Sequence, residues 1–337
     1  MSRSVLSHGR CYGPRLGAAL VLLFSPPCAW AEWSLETGAK LSYTDNAFEF
    51  SGARMNAASE DPSQPAGRVT RNVKDTVWEP ASEVTRTWAQ GLPTELSVKA
   101  HGFLYTETPD LNHATYRVQI KQWVDSLTSF LVRYRYTPNL LLGTDTERRS
   151  GANAVVDERV TSHIWRLELE RALSRTWTAA LIGRFGLRFY DEAFAERDTH
   201  FMTIGPRTAY AISDRFTWNL SYLYERGLAE GRGDTRFNDD VSYRQHFLST
   251  GPEIRLTDAA TLSLSYAYRR KLFTSDLVGD THFNRFDNTH QGVAELSYVL
   301  SRVAAVTLGY QRTQRDSTSE IRAFHADLFS IGVRYTF

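Results

Sequence analysis

A period-two alternation of apolar with small or polar residues constrains this chain more than any other feature. It is plain in the closing run Ile331-Gly332-Val333-Arg334-Tyr335-Thr336-Phe337, and it recurs about every twenty residues back to Trp33. Successive side chains of a strand point to opposite faces, so each segment presents one apolar face and one polar face. Leu262, Leu264, Tyr266 and Tyr268, for example, stand opposite Ser263, Ser265, Arg269 and Lys271. A soluble sandwich or solenoid has little room for such charges in a dry core. Hydrocarbon outside and water inside accommodate both faces. The pattern therefore predicts an all-β fold, a transmembrane antiparallel up-and-down β-barrel.

Residues 1–31 read as a cleaved signal peptide, leaving 32–337 as the barrel. Arg3, Arg10 and Arg15 precede a short apolar stretch, Leu16 to Phe24, and Ala29-Trp30-Ala31 supplies the cleavage site. Nine apolar residues are too few for a spanning helix, which needs about 20. Such a leader implies export through the general secretory pathway. Both cysteines, Cys11 and Cys28, lie within it, so the mature chain has no disulfide, thiolate metal site or cysteine nucleophile. Removing three arginines and no acids takes the net charge from +1 to −2. A near-neutral chain offers no argument for nucleic-acid binding. Eight tryptophans and sixteen tyrosines suit a protein with two interfacial girdles.

Fourteen segments carry the alternation, with 12 or 16 also compatible; an even number returns both ends to the periplasmic side. Tight turns such as Asp125-Ser126, Ser174-Arg175 and Ser301-Arg302 alternate with longer polar loops, of which Asp45–Lys74 is the longest. That asymmetry matches short periplasmic turns and long external loops. The longest loop is expected to fold into the mouth. The fifth and sixth strands read as Thr128–Tyr136 and Ser162–Leu173. A repeat supports the parse: His200-Phe201-Met202-Thr203-Ile204-Gly205-Pro206 recurs as His246-Phe247-Leu248-Ser249-Thr250-Gly251-Pro252. Proline removes a ladder hydrogen bond, so each Gly-Pro pair reads as a bulge.

Parity assigns the inward face. Lys99, Arg117, Lys121, Arg133, Arg135, Arg166, Arg184, Arg188 and Arg207 form a lumen basic wall, offset by Glu168 and Glu170. Glu36, Glu79 and Glu83 form an acidic strip on the first two strands. Two readings stay open: a pore favouring anionic solutes, acidic sugars included, or side chains that pair across a narrow interior and fill it. His163, His200, His246, His290 and His325 share the apolar parity and should ring the outer interface beside lipid and lipopolysaccharide head groups. A ring does not converge on a metal, so no metal or other cofactor is expected.

No catalytic constellation stands out. Ser162-His163 places its two groups on opposite faces of a strand. A rim cluster of Asp239-Asp240, Asp191-Glu192 and His282 would have to be assembled by loops, and Asn238-Asp239-Asp240 is a sparse calcium loop. The protein reads as a non-enzyme.

The alternation, the leader and the final Tyr335-Thr336-Phe337 make the chain resemble bacterial outer-membrane β-barrels, porin-like ones in particular. The resemblance implies that Tyr335 and Phe337 act as an assembly signal read by the barrel-assembly machinery. Leu41-Ser42-Tyr43-Thr44-Asp45-Asn46-Ala47-Phe48 resembles the opening strand of the beta-barrel porin 2 group, which implies a saccharide cargo and an exopolysaccharide-system partner. More remotely, fourteen strands resemble the barrel of surface-lipoprotein assembly modifiers. The expected function is a channel for passive passage of small or saccharide-like, anionic solutes. An export accessory for exopolysaccharide or surface lipoprotein, with a periplasmic partner, and a plugged structural or surface-recognition barrel are the alternatives.

Overall fold

The computed structural model describes residues 31–48, 74–89, 91–319 and 323–337. Fourteen antiparallel strands follow one another around a closed barrel. They are β1 (Ala31–Thr44), β2 (Asp75–Trp88), β3 (Thr94–Tyr105), β4 (His113–Trp123), β5 (Thr128–Thr146), β6 (Val155–Ala172) and β7 (Trp177–Tyr190). The second half comprises β8 (Thr199–Ser213), β9 (Phe216–Ala229), β10 (Tyr243–Arg255), β11 (Ala260–Phe273), β12 (Phe286–Val299), β13 (Ala304–Ser317) and β14 (Phe324–Thr336). β1 pairs with β14 from Glu36 opposite Thr336 to Thr44 opposite Leu328. Leu35 and Phe337 exchange backbone hydrogen bonds of 3.0 and 2.9 Å just beyond. Closure satisfies every edge, which a sheet in hydrocarbon requires. The expected leader lies outside the described residues except for Ala31, as do residues 49–73 of the longest loop.

The tight turns are set by their first polar residue. Asp125 Oδ1 accepts the N–H groups of Leu127 and Thr128, each at 2.7 Å. Ser174 Oγ accepts those of Thr176 at 3.2 Å and Trp177 at 3.0 Å, and Thr257 Oγ1 does the same for Ala259 and Ala260. A short side chain thus replaces the missing ladder partner and reverses the chain.

Two local readings are corrected. β5 and β6 run well beyond Tyr136 and before Ser162, forming a hairpin that stands above its neighbours. Pro138 suggests an end, but the strand passes it by register shifts between Thr137 and Leu140 and between Leu141 and Gly143. Asn139 adopts a positive φ of 48° there, and the bulges absorb the proline. The Gly-Pro pairs, by contrast, are not bulges. Ile204 faces Tyr224 and Arg207 faces Ser221, so the register is unbroken across Gly205-Pro206. Thr250 opposite Tyr266 and Glu253 opposite Ser263 show the same at Gly251-Pro252. Each pair is a gap in one ladder without an inserted residue. A Cβ built on Gly205 would overlap the Tyr222 carbonyl oxygen, and one on Gly251 that of Leu264. Glycine lets the next backbone approach, and the proline beside it removes only one donor.

The outward face is apolar and bare: Leu181 is 53% exposed, Ile204 57% and Ile331 54%. Water does not tolerate a continuous apolar surface of this kind, whereas lipid tails do. Among the described residues no helix is long and apolar enough to cross a membrane. Inside, the long-loop mouth is narrowed by Ala47, Val77, Phe103, Tyr105, Leu111 and Leu328, with Phe48 packed against them. The first residues of the longest loop therefore turn inward.

Candidate functional site

Side chains that meet across an intervening strand identify the concave side of the sheet. Arg117 on β4 donates from Nη2 to Glu83 Oε1 on β2 at 2.6 Å. Lys121 on β4 lies 3.5 Å from Glu170 on β6. Lys40 Nζ on β1 donates to Glu295 Oε2 on β12 at 3.2 Å, spanning both β14 and β13. Such chords exist only within a closed wall.

All nine expected cations lie on that inward parity, opposite the exposed apolar residues. At least six meet carboxylates. Lys99 and Arg117 share Glu83, at 3.8 and 2.6 Å. Lys121 and Arg207 share Glu170, Arg166 donates from Nε to Glu168 at 3.1 Å, and Arg207 also reaches Glu168. Arg184 lies 3.8 Å from Glu225. Arg133 donates from Nε to the Gln119 side chain at 2.8 Å. Arg188 donates to the Tyr243 hydroxyl at 3.1 Å and covers the Phe201 ring at 4.4 Å. Arg135 is buried in the same wall. The acidic strip adjoins this wall instead of standing opposite it, so Glu83 neutralises the first two cations directly.

Two lumenal cavities remain between these groups. One of about 140 Å³ is bordered by Lys121, Arg133, Arg166 and Arg207 against Glu168 and Glu170, with Ser129 and Leu131. Four cations face two carboxylates, so its field is positive. The other, about 260 Å³, lies along the acidic strip, where Glu36, Glu79 and Glu83 face Lys40, Lys99 and Arg334. The basic wall and the acidic strip thus each border open space. Between them the wall is filled: Tyr243 donates to Glu225 at 2.7 Å, Thr203 donates to the same carboxylate at 2.6 Å, and Lys271 Nζ covers the Tyr243 ring at 4.0 Å. Ile182, Leu223, Phe247 and Ala267 add an inward apolar cluster.

Loop residues build a second ionic centre above the barrel, which period-two reading does not reach. Arg197, in a 3-10 turn spanning Glu192–Arg197, is buried to 2% exposure. It pairs with Asp239 from the β9–β10 loop, with Glu158 on β6 at 2.8 Å and with Asp145 on β5 at 3.0 Å. The sequence points to Asp239 and His282 for a rim cluster, and it misses Arg197, Glu158 and Asp145, which no spacing connects to them. His282 joins the same centre, its Nδ1 3.0 Å from Asp280 and 3.4 Å from Asp239. Burial lifts the Asp280 carboxyl, but hydrogen bonds from His282, Ser275 and the His282 backbone outweigh it and hold it at about 2. Asp239, Asp280 and His282 are the groups whose ligand atoms cluster within 4.8 Å among the described residues. The Arg197 guanidinium already supplies positive charge there. Asp240 is tied to the cluster by its backbone, its N–H donating to Asp280 Oδ2 at 2.8 Å, while its side chain accepts the Ser242 N–H at 2.9 Å; Asp191-Glu192 remains exposed outside the cluster.

The five histidines face outward, and three are clasped identically. The Tyr134 hydroxyl lies 2.7 Å from His163 Nδ1, Tyr222 2.8 Å from His246, and Tyr266 2.7 Å from His290. The sequence signal is a Tyr-x-Tyr on one strand before a histidine on the next, and only the histidines stand out without the register. Tyr335 and Phe337 also lie on the exposed surface, with ring centroids 6.5 Å apart.

These features define the class: a closed fourteen-stranded barrel with the fold of outer-membrane β-barrel proteins. No protein-family model and no curated protein sequence matches the chain. The resemblance to the beta-barrel porin 2 group accordingly rests on Leu41–Phe48. Solved structures match the fold. The outer membrane channel DcaP of Acinetobacter baumannii superposes with a TM-score of 0.51 at 9% identity, covering 91% of this chain and 97% of that one. A bacterial polysaccharide outer membrane secretin gives 0.52 at 8% identity over 90% and 98%. OmpT, an outer membrane protein of Vibrio cholerae, gives 0.50 at 9% over 91% and 97%.

Proposed function

We propose that the protein is a channel of the bacterial outer membrane that passes small, saccharide-like anionic solutes by diffusion, without covalent chemistry. The observation that carries this reading is the lumenal cavity where Lys121, Arg133, Arg166 and Arg207 outnumber Glu168 and Glu170. A low-dielectric wall focuses that excess charge on the pathway and raises the local concentration of anions. Guanidinium groups also match carboxylates and phosphates in shape. The saccharide element draws on the Leu41–Phe48 resemblance and on the shared fold with a polysaccharide secretin. Export by the secretory pathway, insertion by the barrel-assembly machinery through Tyr335 and Phe337, and a periplasmic or exopolysaccharide-system partner belong to the same proposal.

One observation favours a second reading, a plugged structural barrel: the inward apolar cluster of Ile182, Leu223, Phe247 and Ala267. Conductance in planar bilayers separates the two. Steady ohmic conductance with anion preference, reversed in R133E/R135E, supports the channel. A silent barrel, or selectivity untouched by those substitutions, refutes the basic pathway.

A further inference from the structure

On β9, β10 and β11 the outward side chains are ordered by depth. Towards the long loops, β9 presents Leu220, Tyr222 and then Arg226. β10 presents Leu248, His246 and Arg244, and β11 presents Leu264, Tyr266 and Arg270. Aliphatic, then hydroxyl or imidazole, then guanidinium is the order of a membrane boundary passing from acyl chains to head groups.

The three arginines are adjacent. Arg226 and Arg244 stand directly opposite each other in the β9–β10 register. Arg270 is opposite His246, while Arg244 faces Leu272, so Arg244 and Arg270 are diagonal neighbours. All three are exposed. Among the described residues none of them meets a carboxylate; Arg270 alone has a partner of another kind, the Phe286 ring at 5.6 Å. Like charges facing across a strand pair repel, with Cβ atoms only about 5 Å apart. Elsewhere the fold supplies the acid: Arg312, outward on β13, lies 3.4 Å from Asp327. On β9–β11 the described residues supply no such acid, so the three guanidiniums stand open to an external anion.

We infer that Arg226, Arg244 and Arg270 bind the phosphate of a phosphorylated glycolipid in the outer leaflet. Guanidinium forks hold phosphate by paired, charge-assisted hydrogen bonds. The lipid source follows from position. A head group at this level lays its acyl chains along Leu220, Leu248 and Leu264, contacts that a free phosphate does not have. The inference rests on the membrane placement of the barrel and not on what crosses its lumen.

The test compares retention of bis-phosphorylated lipid A and its dephosphorylated form by the full-length barrel in mixed micelles, read by native mass spectrometry. The wild type is expected to prefer the phosphorylated lipid by roughly tenfold or more. The preference should vanish in R226Q/R244Q/R270Q and fall to an intermediate value in R226K/R244K/R270K, which keeps the charge but not the forks. Equal retention of the two lipids by the wild type overturns the site, and that comparison needs no variant to fold. Displacement of the lipid by equimolar inorganic phosphate overturns the lipid source. A conducting barrel without lipid preference refutes this site alone; a silent barrel with the preference refutes the channel alone.

Discussion

Arg207 on β8 reaches across β7 and donates from Nη2 to Glu170 Oε2 on β6 at 2.8 Å. The same guanidinium contacts Glu168, so two carboxylates hold down the cations of the smaller lumenal cavity. Converting both to amides in E168Q/E170Q removes negative charge without changing side-chain shape. Anion over cation permeability is expected to rise several-fold, read as a shift of reversal potential in a salt gradient. An unchanged reversal potential would place the conduction path away from this cavity.

Arg197 ties the rim together by pairing with Asp239, Glu158 and Asp145. Replacing it by methionine leaves buried carboxylates without their cation. Breaking a buried pair by removing one partner costs about 3–5 kcal/mol. In R197M the loops carrying residues 192–197 and 230–242 should lose hydrogen-exchange protection while the strands keep theirs. Protection equal to wild type would show that the ionic centre does not order the loops.

Asp198, beside that turn, gives the rim a pH dependence. Burial lifts its carboxyl from 3.8 to about 6, opposed by the Tyr190 N–H that donates to it and reinforced by Glu230 and Glu196. The folded value exceeds the unfolded one, so protonation favours the ordered loop. Its contribution is complete below about pH 4 and is lost as the pH rises through 6. Proteolysis within 191–198 should therefore be faster at pH 7 than at pH 4.5, and D198N should flatten the difference. Faster cleavage at the lower pH would contradict the assignment.

The Gly-Pro gaps predict which glycines the barrel cannot lose. Gly205→Val or Gly251→Val drives a side chain into a neighbouring backbone carbonyl, and neither variant should reach the heat-modifiable folded form on a gel. Gly183→Ala and Gly292→Ala, with open space at the Cβ, should fold normally. Equal folding of all four would mean that the close approach is not needed.

The barrel was legible in the sequence because its constraint is local and periodic. Alternation alone assigned Arg166 inward and Leu167 outward, and the turn residues Asp125, Ser174 and Ser301 marked the reversals. Where the chain departs from the period, legibility fails. The fifth strand reads as ending at Tyr136, because the register shifts that carry it past Pro138 do not show in the period. Gly205-Pro206 looked like a bulge, because sequence does not show how closely β9 approaches. The partners of the lumenal cations depend on which strands are neighbours, so Glu83 as the shared acid of Lys99 and Arg117 required the register. The Arg197 centre joins the 3-10 turn, the β9–β10 loop and the β5–β6 hairpin, and no periodicity connects them.

Spin labels placed singly at positions 262 to 268 of β11 test most directly which solvent each face meets. Collisional quenching by oxygen, which partitions into lipid, should peak at 262, 264 and 266, and quenching by a water-soluble nickel chelate at 263 and 265. Uniform access of the chelate to both sets, or a reversed alternation, would contradict a barrel whose apolar face is solvated by hydrocarbon.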